Sequence, residues 1–218
     1  NFGRAYSKET GKNVLAAWFG EGNKPTKKLI FQETINSLHN GNTFYTYQNG
    51  LPKIREAISN YMNNVFDINT FAENHSLVTG GMLGIKIICD MLIEKDDEVV
   101  IVGPVWPNIR SSVILKQAKI KEVNLILKEN WELDLKKLFS SITDKTKMVF
   151  INSPSNPTGW MLKDEEQEEI LSYIRNKNCW LVSDEVYHQI VFDKKVSPSF
   201  LTFSKPKDKL IVINSSSK

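Results

Sequence analysis

Two rhythms of apolar residues run along this chain. From residue 76 onward, short apolar runs recur at residues 76–79, 98–102, 119–125, 147–151, 179–183 and 209–213. Runs such as VVIVG, MVFIN and LIVIN suit strands covered on both faces, where no polar side is needed. Between several of them the apolar spacing changes to three and four residues, at residues 82–94, about 107–116, 133–141 and 164–176, which predicts helices. Strand, crossover helix and strand, repeated in this way, predict an α/β fold: a three-layer α/β/α sandwich around a mainly parallel sheet.

The first forty residues lack that rhythm. Residues 14–19 (VLAAWF) read as a strand running into the turn Gly20-Glu21-Gly22-Asn23, and Pro25 precedes an expected helix containing Leu29, Ile30, Ile35 and Leu38. An aromatic loop, Phe44-Tyr45-Thr46-Tyr47, follows Asn40-Gly41-Asn42 and is closed by Asn49-Gly50. Pro52 then opens a helix whose apolar positions are Leu51, Ile54, Ile58 and Met62. A domain boundary is therefore expected near residue 40.

Composition narrows the function. With 218 residues, 41% of them hydrophobic, the chain can build one large core, or one domain and part of another. A net charge of +3 without a dense Lys/Arg run argues against a nucleic-acid or membrane-surface partner. Cys89 and Cys179 are ninety residues apart and the three histidines are scattered, so neither a metal site nor a disulfide framework is expected. No apolar stretch is long enough to span a bilayer, and a cytoplasmic protein is expected.

The chemistry-bearing residues gather where the apolar runs end. Ligands of a doubly wound sheet bind outside the carboxyl ends of its strands, and five exits here read Gly80-Gly81, Gly103-Pro104-Val105-Trp106, the turn from Asn152 to Pro157, Asp184-Glu185-Val186-Tyr187, and Asn214 to Lys218. Gly81, at the start of an apolar helix, suits an anion pocket or a plain turn, and Ser215 can add a hydroxyl to the same anion. Asp184 is either a buried carboxylate needing a protonated partner or a capping residue, and Tyr187 lies three residues on. His188 reads as structural. Lys218 is a lysine for Schiff-base chemistry in an enclosed site, or a solvated lysine. Trp106 is a stacking plane or core packing; Asn156 is an aimed amide or a turn former.

Seven segments in order, FGEGNKPT, YTYQNGLPKIREAI, LVTGGMLGIKI, DDEVVIVGPVWPNI, MVFINSPSNPTG, LVSDEVY and VINSSSK, resemble the class I/II aminotransferases, the aspartate aminotransferase-like group of fold type I pyridoxal-phosphate enzymes. The resemblance implies that Lys218 carries the cofactor pyridoxal 5'-phosphate and shuttles the proton, and that Asp184 pairs with its pyridine nitrogen. It further implies that Tyr187 and Asn156 hold the phenolic oxygen, Trp106 stacks on the ring, and Gly81, Met82, Leu83 and Ser215 surround the phosphate. Tyr45 would reach the partner subunit's phosphate across a homodimer, and Gly20 would lie near the substrate carboxylate. Residues 1–40 would be part of the small domain and residues 41–218 the large cofactor-binding domain. The rest of the enzyme, with its carboxylate-gripping arginine, would lie beyond Lys218. The implied reaction transfers an amino group from an L-amino acid to a 2-oxo acid. A C–S lyase on the same scaffold and a non-catalytic cofactor-binding regulatory domain are the alternatives. Three departures concern the substrate side and one phosphate contact: Leu83 stands where a polar residue is common, Gly22 where proline is, and Ser153 where asparagine is.

Overall fold

A computed structural model describes residues 2–15, 20 and 24–218. The chain divides into two units, residues 1–44 together with Ser217–Lys218, and Tyr45–Ser216.

The first unit contains helices α1 (Phe2–Thr10) and α2 (Lys28–His39). Helix α1 was not expected, because its polar sequence, FGRAYSKET, has no sustained apolar stripe; it buries no residue. The expected α2 forms after Pro25, yet Leu29, Ile30, Ile35 and Leu38 all remain exposed. Most of the strand expected at residues 14–19 lies outside the described residues.

The second unit opens with α3 (Pro52–Phe66), which has proline in its first turn. Of the apolar positions Leu51, Ile54, Ile58 and Met62, only Met62 is buried, and the buried stripe is Arg55, Ser59, Met62 and Phe66. Hydrogen bonds explain the rotation. Arg55 donates to the carbonyls of Gly50 and Ala72, and the Ser59 hydroxyl to that of Thr70, so the polar groups are satisfied under the 70–75 loop.

Five strands form the sheet: β1 (Glu98–Gly103), β2 (Lys119–Asn124), β5 (Thr146–Asn152), β6 (Trp180–Asp184) and β7 (Leu210–Ile213), in the order β2-β1-β5-β6-β7. All neighbours are parallel. A short hairpin of β3 (Ile126–Leu127) and β4 (Trp131–Glu132) follows β2; two-residue strands are too brief to leave a period in the sequence. The run at residues 76–79 is not a strand. The Leu77 N–H bonds to the Asn49 carbonyl and Val78 is exposed, so this extended segment lies outside the sheet.

Side-chain alternation along the strands feeds two cores. Val100, Val149, Ile151 and Leu181 join Leu138 of α6 (Leu135–Ser141) and Ile170, Leu171 and Ile174 of α7 (Asp164–Arg175). Val99, Ile101, Met148, Phe150 and Val182 join Ile85 and Cys89 of α4 (Gly81–Leu92) and Ile109 and Val113 of α5 (Asn108–Leu115). Helices on both faces of a parallel sheet make the expected three-layer sandwich. Burying one Leu or Ile side chain contributes about 1.5–3 kcal/mol, and both faces of β1 and β5 are spent this way. The bodies of β1 and β5 are thus spent on packing.

Candidate active site

Strand order decides where a ligand can sit. The chain builds β1, adds β2 on one side, then returns to place β5 on the other. The direction of winding reverses between β1 and β5, and a crevice opens outside their carboxyl ends. Trp106 follows β1 and Asn156 follows β5, and the Trp106 N–H donates to the Asn156 carbonyl at 2.9 Å. Trp106 is half-buried against the α4/α5 core, so packing orients the indole.

The next exit meets this one. Asn156 Nδ2 donates to the Tyr187 hydroxyl at 3.3 Å, bringing together the two side chains expected to share a ligand oxygen. Asn152, at the end of β5, links the exits. Its Nδ2 donates to the Asp184 carbonyl at 2.9 Å and its Oδ1 accepts the Asn156 N–H at 2.8 Å. The Ser153 N–H also reaches the Asp184 carbonyl, at 3.1 Å. Asn152 was not singled out as a site residue, although a polar side chain closing the apolar run MVFI was a signal for it.

Asp184 ends β6 and is only 7% exposed. Burial pushes its carboxyl up to about 6, and the Val186 N–H, bonded to Oδ1 at 3.3 Å, opposes that rise. One amide hydrogen bond compensates little of the desolvation of a carboxylate. The arrangement is electrostatically prepared for a cationic partner.

Helix α4 begins beside the same exits. Gly80 precedes it at φ +112°, a conformation that side chains rarely adopt, and among the described residues no side chain caps the helix start. A Cβ on Gly81 would lie 3.8 Å from both Ile213 and Val186, so the helix start abuts the ends of β7 and β6. Met82 and Leu83 are exposed in its first turn. Ser215 is half-buried after β7, its N–H held by Asn214 Oδ1 at 2.7 Å.

Lys218 belongs with the first unit. There its Nζ donates to the Gly20 carbonyl, joining two residues expected to act on substrate. Tyr45 is fully exposed and, among the described residues, shares no hydrogen bond or ring contact with the other expected residues of its own chain. Among the described residues, no group of His, Cys, Asp and Glu side chains could hold a metal ion, and no helix is long and apolar enough to cross a membrane.

Comparison with known proteins shows the family. A probable aspartate aminotransferase of Methanocaldococcus jannaschii is 36% identical over 200 residues, which are 91% of this chain and 52% of that protein. A probable aspartate/prephenate aminotransferase of Rickettsia prowazekii is 35% identical over 85% of this chain and 47% of its own length. The crystal structure of aspartate aminotransferase from Thermotoga maritima superposes with a TM-score of 0.92 at 27% identity, covering all of this chain and 57% of that one. The chain thus spans about half the length of the relatives it matches. The family model for aminotransferase class I and II matches residues 6–218, and the chain belongs to that family.

Proposed function

We propose that this chain is part of a pyridoxal-phosphate-dependent aminotransferase that moves an amino group from an L-amino acid to a 2-oxo acid. The observation that carries the reading is the buried Asp184 carboxylate at the exit of β6, its Oδ1 met by the Val186 N–H. A protonated pyridine nitrogen is the complement such a carboxylate requires. The other residues fit the same group: the Asn156–Tyr187 pair suits its phenolic oxygen, and the helix start at Gly81, Met82 and Leu83, with Ser215, suits its phosphate. Trp106 would face the ring.

When bound, the cofactor supplies an electron-accepting ring that makes the α-proton of an amino acid removable. The protein does the rest. Asp184 holds a proton on the ring nitrogen by charge, and Asn156 Nδ2 and the Tyr187 hydroxyl fix the ring's orientation. Lys218 Nζ would anchor the cofactor in the resting enzyme; it would take the proton from the α-carbon of the donor amino acid in the first half-reaction and give a proton to the α-carbon formed from the 2-oxo acid in the second. Gly20 lies on the substrate side, where its carbonyl accepts from Lys218. Residues 41–218 form the large domain on this reading and residues 1–40 part of the small one. The enzyme is a cytoplasmic homodimer in which Tyr45 reaches the partner's phosphate. The exposed rings of Phe44, Tyr45 and Tyr47 support that assembly.

The full-length protein tests this directly. Adding pyridoxal 5'-phosphate is expected to give a visible absorbance band that Lys218→Ala abolishes. Amino acids are then screened for 2-oxo acid production that depends on a second 2-oxo acid. Thiol or ammonia release without an acceptor would assign a lyase instead. Binding without turnover would assign a regulatory domain.

A further inference from the structure

The turn after β6 holds two carboxylates side by side, and only one of them faces the site. Glu185 is completely buried, and its Oε1 accepts the Ser183 hydroxyl at 2.9 Å and the Phe200 N–H at 3.2 Å. Oε2 has no hydrogen-bond partner among the described residues. The Ser183 and Phe200 donors therefore converge on one edge of the group. Phe200 is itself fully buried in the α6/α7 core and opens a short 3₁₀ turn, Phe200–Phe203, so the carboxyl is tied to a rigid anchor.

The backbone of Glu185 is fixed as well. Its N–H donates to the Ile213 carbonyl of β7 at 2.8 Å, and its carbonyl accepts the His188 N–H at 3.0 Å. His188 Nδ1 also lies 3.2 Å from that carbonyl. A carbonyl can only accept, so Nδ1 carries the proton, and in the neutral ring Nε2 accepts from the Tyr61 hydroxyl of α3 at 2.7 Å. Burial disfavours the charged ring. The turn is thus fastened to β7, to the 3₁₀ turn and to α3 by residues 185 and 188.

Asp184 and Tyr187 are the two residues of this turn read as meeting the cofactor, and the carboxyl between them in sequence is bonded only to the scaffold. We propose that Glu185 is a positioning residue: its buried carboxyl, accepting from Ser183 and Phe200, holds the Asp184–Tyr187 turn in the geometry that presents both side chains to the cofactor. This rests on the reading that Asp184 and Tyr187 bind pyridoxal phosphate. The division of labour alternates along the chain, with residues 184 and 187 offered to the ligand and residues 185 and 188 turned to the scaffold.

The test uses the full-length protein with Glu185→Gln, which keeps an acceptor oxygen, and Glu185→Leu, which removes it at similar volume. Amide exchange is measured on the cofactor-free protein across residues 183–190 and, as a control, across β1 and β5. The dissociation constant for pyridoxal 5'-phosphate is measured in parallel. Glu185→Leu is expected to speed exchange in the turn and to weaken cofactor binding, each by about tenfold, the effect of leaving the buried Ser183 O–H and Phe200 N–H donors unmet. The β1 and β5 amides should not change. Glu185→Gln should stay within about twofold of wild type on both measures, since its amide oxygen still accepts from Ser183 and Phe200. Wild-type exchange and affinity in Glu185→Leu would overturn the proposal, as would Glu185→Gln failing as badly as Glu185→Leu. Should Glu185→Leu not fold, Ser183→Ala removes one of the donors that aim the carboxyl. It should move both measures in the same direction by about threefold, and no change would overturn the proposal. If the wild-type protein binds no pyridoxal phosphate, the functional reading fails, while the contrast in turn exchange still decides the role of Glu185.

Discussion

Tyr187 and Tyr45 are both read as cofactor-binding phenols, yet the chain treats them in opposite ways. Tyr187 is half-buried, accepts a hydrogen bond from Asn156, and stands in a turn fastened on three sides. Tyr45 is fully exposed between Phe44 at 90% and Tyr47 at 62% exposure. Leaving three such rings in water forgoes on the order of 2 kcal/mol each that burial would contribute. The contrast separates the groups this chain orders by itself from those that await another surface. On the proposed reading, that surface is a second subunit.

The largest expected effect falls on the self-ordered side. Asp184→Ala should leave much of the cofactor bound and lower turnover by about 10³-fold, because its charge is needed most in the transition state, where a missing electrostatic partner is felt in the rate. Rapid-mixing measurement of α-proton loss checks this, and an unchanged rate removes Asp184 from the role.

The same carboxylate should show itself in stability. Its acidity is lowered from an ordinary 3.8 to about 6 by burial. A carboxyl that ionises less readily in the folded than in the unfolded chain costs nothing while protonated in both. The cost therefore grows as pH rises from about 4 to about 6 and stays constant above that, at about 3 kcal/mol. Cofactor-free Asp184→Asn is thus expected to match wild type near pH 4 and to be the more stable protein at pH 8. Urea unfolding at the two values is the measurement. Glu185, pushed up to about 7 mainly by burial, is present in both proteins and largely cancels. Wild type should recover its deficit when pyridoxal phosphate is added.

A smaller effect tests whether the two exits act together. Asn156→Ala and Tyr187→Phe each remove one member of the hydrogen-bonded pair, and each should lower cofactor affinity by about tenfold. The double variant should lose less than the product of the two, since the groups share one hydrogen bond. Strict additivity in binding titrations would mean that the pair does not work as a unit.

Where the sequence was legible, the reason is local. Strands covered on both faces, such as VVIVG and MVFIN, leave few alternatives, and a carboxylate directly after such a run, as at Asp184, stands out as a charge that must be neutralised or hydrated. What escaped depends on partners distant along the chain. Arg55 and Ser59 turn the inner face of α3 through carbonyls of residues 50, 70 and 72, and no apolar spacing records that. Asn152 meets Asp184 across 32 residues and Glu185 meets Phe200 across 15. The segment at residues 76–79 has a strand's composition but not a strand's neighbours. Helix α1 offers only Phe2 and Tyr6, stacked one turn apart, a pattern too short to read as a helix.

The smallest effect probes the exposed side of the comparison. Tyr45→Phe removes one hydroxyl from a ring that buries little in its own chain, so subunit stability should be unaffected, whereas phosphate retention should weaken by about three- to tenfold if the hydroxyl meets the partner's cofactor. Affinity alone does not say which subunit's site is affected. Mixed dimers do. In a dimer of one Tyr45→Phe subunit and one Lys218→Ala subunit, a shared-site arrangement places both defects in one site and leaves the other wholly wild type. Cofactor should then load into one site per dimer with wild-type affinity. If each Tyr45 serves its own subunit, the two sites carry one defect each, and the only site able to load covalently does so with the weakened affinity of Tyr45→Phe. Titrating the isolated mixed dimer with pyridoxal phosphate therefore separates the two arrangements, and the weakened value would make the bare aromatic loop a feature of the single chain.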